Sequence, residues 1–207
     1  MQGAVDYFRF GVTLFGILNP FAAIPMFLIL TDPADRSRTA RIAGLAVFAF
    51  LGVAALSGDL VLRLLGTSLP AFQVAGSIVL FMMALAMVSA QASPQKQTPE
   101  EAAEAGDRSA IGVVPLAMPL LVGPGSISSV IIEMKRAPAF GHEVAVIVSM
   151  AVVAVAIWLV LRLADPIGKR LGTTGLNILN RIFGLLVAAV AVQIFANGLR
   201  GLFPSLN

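Results

Sequence analysis

The chain has no cysteine among its 207 residues. Disulfides, thiolate metal sites and thiol relay chemistry are therefore excluded. It has one histidine, His142, which the pattern places in an outer loop beside Glu143. No histidine-based zinc site can be assembled from that, and a serine–histidine protease would have its base in a loop and its serine, Ser126, inside an apolar run. No Gly-x-x-x-x-Gly-Lys phosphate loop occurs. Charge is scarce too: 12% of residues are Asp, Glu, Lys or Arg, about half the roughly 25% usual in soluble domains. No carboxylate falls at the centre of an apolar run. Asp6, Asp59, Glu133 and Glu143 fall near one membrane surface and Asp165 near the other. A paired-aspartate intramembrane protease is excluded, and no clear buried acid is offered for proton coupling. Asp59 stands four residues before Arg63, the spacing of a helical ion pair, with a gate or proton role as the alternative.

What is abundant is apolar. Hydrophobic residues make up 58% of the chain, and the mean hydropathy is +0.92. A chain of this size cannot hide that much apolar surface by folding on itself, so it must use lipid as solvent. Charge-free windows run 10–31, 42–58, 64–95, 109–132, 144–161 and 182–199. A membrane helix needs about 20 apolar residues, with a range of about 17–25. Five windows fit that range, and the third holds one span plus polar ends. The sequence therefore predicts six spans, near 8–30, 42–62, 71–90, 110–132, 144–163 and 180–201. The first segment does not read as a cleavable signal, because its apolar window is too long and a second span follows at once.

Basic residues set the expected orientation. Arg36, Arg38, Arg41, Lys96, Arg108, Arg162, Lys169, Arg170 and Arg181 follow spans 1, 3 and 5, against Arg9, Arg63, Lys135, Arg136 and Arg200 on the other side. The first set is expected in the cytoplasm and both termini outside. These charges read as topology signals, and no nucleic-acid partner is expected. Arg181 is expected to snorkel to the interface.

Residues 91–109 are polar, punctuated by Pro94 and Pro99, and mixed in charge, as a cytoplasmic connection should be. They divide the chain into a first three-helix unit (1–90) and a second (110–207) within one membrane domain. Three spans per half turn the second half upside down. The expected fold is thus an all-α membrane protein of six helices in two inverted repeats.

The two halves carry matching punctuation. Pro20 and Pro25 lie in span 1, Pro119 and Pro124 in span 4. Each proline lacks an N–H and crowds the carbonyl four residues back, so both spans are expected to break. Freed backbone groups in lipid need protein or a water-lined cavity, and paired breaks in two halves are the best pointer to a transporter's binding site. Asn19 precedes the first break and is open to two readings, capping the following half-helix or touching substrate. Gly123, Gly125 and Ser126 flank Pro124, with Ser126 as a candidate cap. A helix start suits a carboxylate and freed carbonyls suit an ammonium, so the pair suits a zwitterion. The candidate binding set is Asn19, Pro20, Pro25, Pro119, Gly123, Pro124, Gly125 and Ser126, with Gln73, Gly76, Ser77, Gly184 and Gln193 as candidate cavity-lining residues. Gly76 and Gly184 sit early in spans 3 and 6 and are expected to let those spans close against the broken ones. For most of the small residues (Gly76, Ala84, Gly184, Ala188, Ala191) plain helix packing is the alternative.

These strings resemble the MarC family, which includes small neutral amino acid transporters. The resemblance rests on Leu18-Asn19-Pro20 with Pro25 and Phe27-Leu28, on Ala75-Gly76 with Leu80-Phe81, on Pro115-Leu116-Ala117-Met118-Pro119-Leu120-Leu121 running into Gly123-Pro124-Gly125, and on Arg181-Ile182-Phe183-Gly184-Leu185 with Gln193. Phe21-Ala22 departs from members that have a glycine near there. The resemblance implies a six-span protein of the bacterial or archaeal cytoplasmic membrane with both termini outside, moving glycine- or alanine-like substrates. The expected mechanism is alternating access at a midplane site, with no enzyme activity, no cofactor and no metal site; the coupling ion is not legible, H+ and Na+ both being open. A channel or exporter for another small solute and a membrane scaffold without transport are the rival readings. Oligomeric state is not legible.

Overall fold

The structure is a computed structural model that describes residues 3–64, 66–89, 121–137 and 140–203, leaving aside the side chains of residues 59, 61 and 63. The described elements are helices: α1 Ala4–Leu18, α2 Pro20–Leu30, α3 Arg36–Leu64, α4 Leu69–Val88, α5 Pro124–Lys135, α6 Phe140–Arg162 and α7 Ala164–Leu202. Four of them, α3, α4, α6 and α7, are long and apolar enough to cross a membrane, and α1 with α2, bent by 41°, make a fifth if the pair is one span. Of the expected span 110–132, only the second half is described. There α5 has 12 residues, about 18 Å of helix, too short to cross a hydrocarbon core of about 30 Å alone. The expected linker 91–109, Pro119 and the expected Asp59–Arg63 pair all lie outside the described residues and side chains. What is established is an all-helical bundle with four to five candidate spans, a coarser statement than two inverted three-helix repeats.

The first break is narrower than expected. Asn19 alone leaves the helical region, at φ 43° and ψ 69°. Pro20 follows as the first residue of α2, where a missing N–H has no helical partner to lose. Pro25 does not break the span. It lies inside α2 with its ring exposed, because one lost N–H is too little to end a helix whose other bonds persist. The last helix is longer than expected and begins at Ala164. Gly172 within it has φ 60° and ψ −175°, a conformation glycine adopts without a Cβ clash. It separates a short amphipathic piece from the apolar run.

Small residues decide how the long helices meet. Against α7, α4 runs antiparallel. A Cβ added at Gly184 would stand 2.9 Å from the Val88 nitrogen, and one at Gly198 would stand 2.9 Å from the Pro70 carbonyl oxygen. Gly184, Ala191 and Gly198 recur every seven residues, so they form one seam along α7. In lipid, close backbone approach through such residues supplies the packing attraction that hydrophobicity cannot. The expectation for Gly184 is thereby corrected: it closes span 6 onto α4, not onto a broken span. Gly76 does face a broken span, since its added Cβ would stand 2.8 Å from Ser128 Cβ on α5. The main core, around Leu14, Ile24, Phe27, Leu51, Leu121, Met150 and Ile157, joins α1, α2, α3 and α6. Large apolar side chains such as Leu56 and Ile29, each 78% exposed, point outward as lipid-facing residues should.

Candidate functional site

The two helix starts are built differently. Asn19 is fully buried. Its side-chain oxygen accepts from the Ala22 N–H at 3.4 Å, and its amide donates to Asn180 Oδ1 at 2.5 Å. Asn180 in turn donates to the Met87 carbonyl at 3.3 Å. The α1–α2 junction, α7 and α4 are thus tied by two amides, which suits a buried polar group that must find partners in the protein. Beside this knot Phe15, Phe21 and Phe183 cluster with ring centroids 5.8–6.0 Å apart, Phe21 stacked on Phe183. Asn180 is the residue that sequence reasoning missed. The signal, an amide inside an apolar span, stands at the expected edge of span 6.

At the second start Gly123 is the cap, in extended conformation, with Pro124 as the first helical residue. Ser126 is not the cap. It lies in the first turn and donates its hydroxyl back to the Gly123 carbonyl at 2.9 Å, while the backbone N–H groups of Ser126 and Ile127 bond the same oxygen. Gly125 lets α5 press on α4: an added Cβ would stand 2.6 Å from Leu80 Cδ2 and 3.1 Å from Met83 Sδ.

The polar cavity lies elsewhere. It measures about 410 Å³ and is lined by Thr13, Gln73, Ser129, Gln193 and Asn197, with Asp6, Arg9, Glu133 and Arg136 among its other walls. These residues come from α1, α4, α5 and α7, all near the end of the bundle that carries the N-terminus. Gln193 and Asn180 are 13 positions apart on α7, about 20 Å of helix. So Gln73 and Gln193 share one cavity, and Asn19 and Pro20 sit in the knot toward the other end. Gly123, Pro124, Gly125 and Ser126 start the helix that bridges the two levels. The expected single cluster is two. Ser77 belongs to neither: it donates to the Val74 carbonyl at 2.7 Å and lines an apolar groove with Phe81 and Phe195.

One group in the cavity wall lacks a partner. Ser129 is 6% exposed, and its hydroxyl bonds nothing. A buried unsatisfied hydroxyl costs about 1–3 kcal/mol. At the rim Arg136 lies 3.5 Å from Glu133. Just behind it, His142 corrects another expectation. It is not in a loop but in the first turn of α6 and 4% exposed. Its Nε2–H donates to the Glu133 carbonyl at 2.7 Å, which leaves Nδ1 to accept from the Tyr7 hydroxyl at 3.1 Å. The far end of the bundle is closed by charge. Arg36 Nη1 lies 2.6 Å from both carboxylate oxygens of Asp165, and Nη2 donates to the Leu28 carbonyl at 3.3 Å. Among the described residues no group of three or more His, Cys, Asp or Glu is placed to hold a metal ion.

A cavity with walls of both charge signs, set among lipid-facing helices, now meets a direct comparison. The model of the MarC family of integral membrane proteins matches residues 4–203. The chain belongs to the MarC family. Relatives in distant organisms are described as membrane proteins of one shared family, UPF0056. The membrane protein YhcE of Escherichia coli K12 is 36% identical over 97% of this chain and 94% of its own length. The membrane protein MJ1677 of Methanocaldococcus jannaschii is 38% identical over 91% of this chain and 93% of its own. YvbG of Bacillus subtilis 168 is 33% identical over 95% of each. The names of these three describe membrane proteins and no enzyme. No solved structure matches the chain. This MarC protein is an integral, multi-pass membrane protein, which accounts for its exposed apolar surface.

Proposed function

We propose that this MarC protein transports small neutral amino acids of the glycine or alanine kind by alternating access, in a cytoplasmic membrane, with both termini outside and six spans in two inverted halves. The supporting observation is the cavity with walls of both charge signs, Ser129 among its lining residues. Its volume, about 410 Å³, falls in the usual range for small-molecule sites, about 300–1,000 Å³. Its walls hold Arg9 and Arg136 for a carboxylate, Asp6 and Glu133 for an ammonium, and the amides of Gln73 and Gln193 between them. A zwitterion is the solute that uses both signs at once. The knot at Asn19 and Asn180, the three phenylalanines and the Arg36–Asp165 pair close the opposite end, so this conformation is read as outward-facing. The breaks at Asn19 and Gly123 are the joints about which α2 and α5 would tilt to open the other side.

The test is uptake of labelled alanine into proteoliposomes. Replacing Ser129 and Gln193 together, Ser129→Val with Gln193→Leu, is expected to lower uptake roughly tenfold or more, since a hydrogen bond to a charged group contributes about 1.5–3 kcal/mol. Unchanged uptake by the folded double variant overturns this site. Uptake that never saturates and shows no counterflow indicates a pore instead of a carrier. Absence of any thermal protection by amino acids indicates a scaffold.

A further inference from the structure

The helices α3 and α6 cross antiparallel at Gly44. A Cβ added there would stand 3.0 Å from Trp158 Cβ and 3.2 Å from the Ala154 carbonyl oxygen. Beside this crossing the side chains part and leave a trench of about 310 Å³, lined by Leu45, Phe48, Ala151, Val155 and Trp158, with Arg41 at one end. Leu45 is 64% exposed and Val155 51%, so the trench faces the surroundings of the bundle, not its core. The lining runs from 41 to 48 on α3 and from 151 to 158 on α6, about 10 Å along each helix. That is about two thirds of one leaflet of a hydrocarbon core about 30 Å thick.

The end of the trench is unlike its floor. Arg41 is exposed there, and the Arg162 guanidinium carbon lies 5.5 Å from the centre of the Trp158 ring. Arg41 lies in the second turn of α3 and Arg162 ends α6, so both cations stand near the same end of the helix pair. The Trp158 indole N–H is shielded from solvent and bonds nothing, although buried indole N–H groups usually find an acceptor. An apolar trench thus ends in two cations.

We infer that this trench is a binding site for an acidic phospholipid, with the acyl chain along Phe48 and Ala151 and the anionic headgroup between Arg41 and Arg162. A second copy of the chain could cover the apolar floor, but an apolar helix would leave the arginines without an acceptor. Charge complementarity therefore selects the lipid.

Trp158 is the only tryptophan in the chain, so its fluorescence reports this trench alone. The full-length protein is reconstituted in phosphatidylcholine bilayers, and bromine-labelled acyl chains are introduced as quenchers on either phosphatidylglycerol or phosphatidylcholine. A basic residue near an acidic lipid surface is worth roughly a fivefold factor in binding. Brominated phosphatidylglycerol should therefore quench at about one fifth, or less, of the mole fraction that brominated phosphatidylcholine needs. The double substitution Arg41→Gln with Arg162→Gln should equalise the two lipids, and Arg170→Gln, outside the trench, should leave the preference in place. Equal quenching by both lipids in the unmodified protein overturns the inference, as does a preference that survives the double substitution. Quenching by neither lipid means the trench is covered by protein and also overturns it. The comparison in the unmodified protein needs no variant, so a variant that fails to fold leaves the test decided.

Discussion

Two helices in this molecule begin with a proline inside the membrane region, and they begin differently. At Pro20 the preceding residue is an asparagine in the left-handed conformation whose side chain caps the helix and reaches Asn180. At Pro124 the preceding residue is a glycine in extended conformation with no side chain to offer, and the first turn is tied by Ser126 bonding backward. The same sequence device, a proline at the first helical position, starts both helices. The surroundings give it two jobs. The first start is anchored laterally to α7 and α4. The second is held by steric fit against α4 and by bonds within its own turn. The first is expected to be the stiffer joint and the second the more adaptable.

The strongest way to break this contrast is Asn19→Leu. It removes a cap worth about 1 kcal/mol, forces a branched residue into left-handed backbone at about 1–2 kcal/mol, and strips Asn180 of its partner. The expected loss is about 3 kcal/mol, read as a lowered midpoint of thermal unfolding in detergent. Asn19→Gly keeps the backbone conformation and should lose about half as much, which separates strain from the amide bridge. A midpoint unchanged in Asn19→Leu would mean the knot holds nothing.

A smaller effect is expected at the second start from Gly125→Val. The added atoms meet Leu80 and Met83, and overpacking of this kind costs about 1–3 kcal/mol. Adding Leu80→Ala should restore most of the loss, because the clash is with the end of that side chain. Failure of this rescue would show that backbone geometry, not fit, makes glycine necessary there.

The smallest effect should come from Ser126→Ala. Gly123's carbonyl keeps two backbone donors, at 3.1 and 3.2 Å, so the loss is expected to stay under about 1 kcal/mol. A loss as large as that of Asn19→Leu would erase the difference between the two starts.

Much of this was legible from the chain. Apolar windows located α4 and α6 within a few residues and the apolar parts of α3 and α7, which both begin earlier than their windows, because a span must be long and uncharged whatever surrounds it. The proline pairs marked both breaks, and the structure puts Pro20 and Pro124 at the first helical position, the one place in a helix where a missing N–H is not needed. Asn19 was open between cap and ligand, and local geometry placed it as a cap. Other features depended on residues far away in sequence. Asn180 meets Asn19 across 161 positions. His142 looked like a loop residue, and it is buried because Tyr7, 135 positions earlier, and the Glu133 carbonyl receive its ring.

By itself, then, the sequence determined that this protein lives in lipid and where its long apolar helices run, since those follow from local hydrogen bonding and from the thickness of a bilayer. Only the tertiary structure decided that Gln73 and Gln193 share a cavity, that Asn19 is about 20 Å of helix away from it, and that Gly184 presses on α4. Such pairings depend on which helix faces meet, and in lipid that choice is made by close fit between small residues on different helices, which no single stretch of sequence contains.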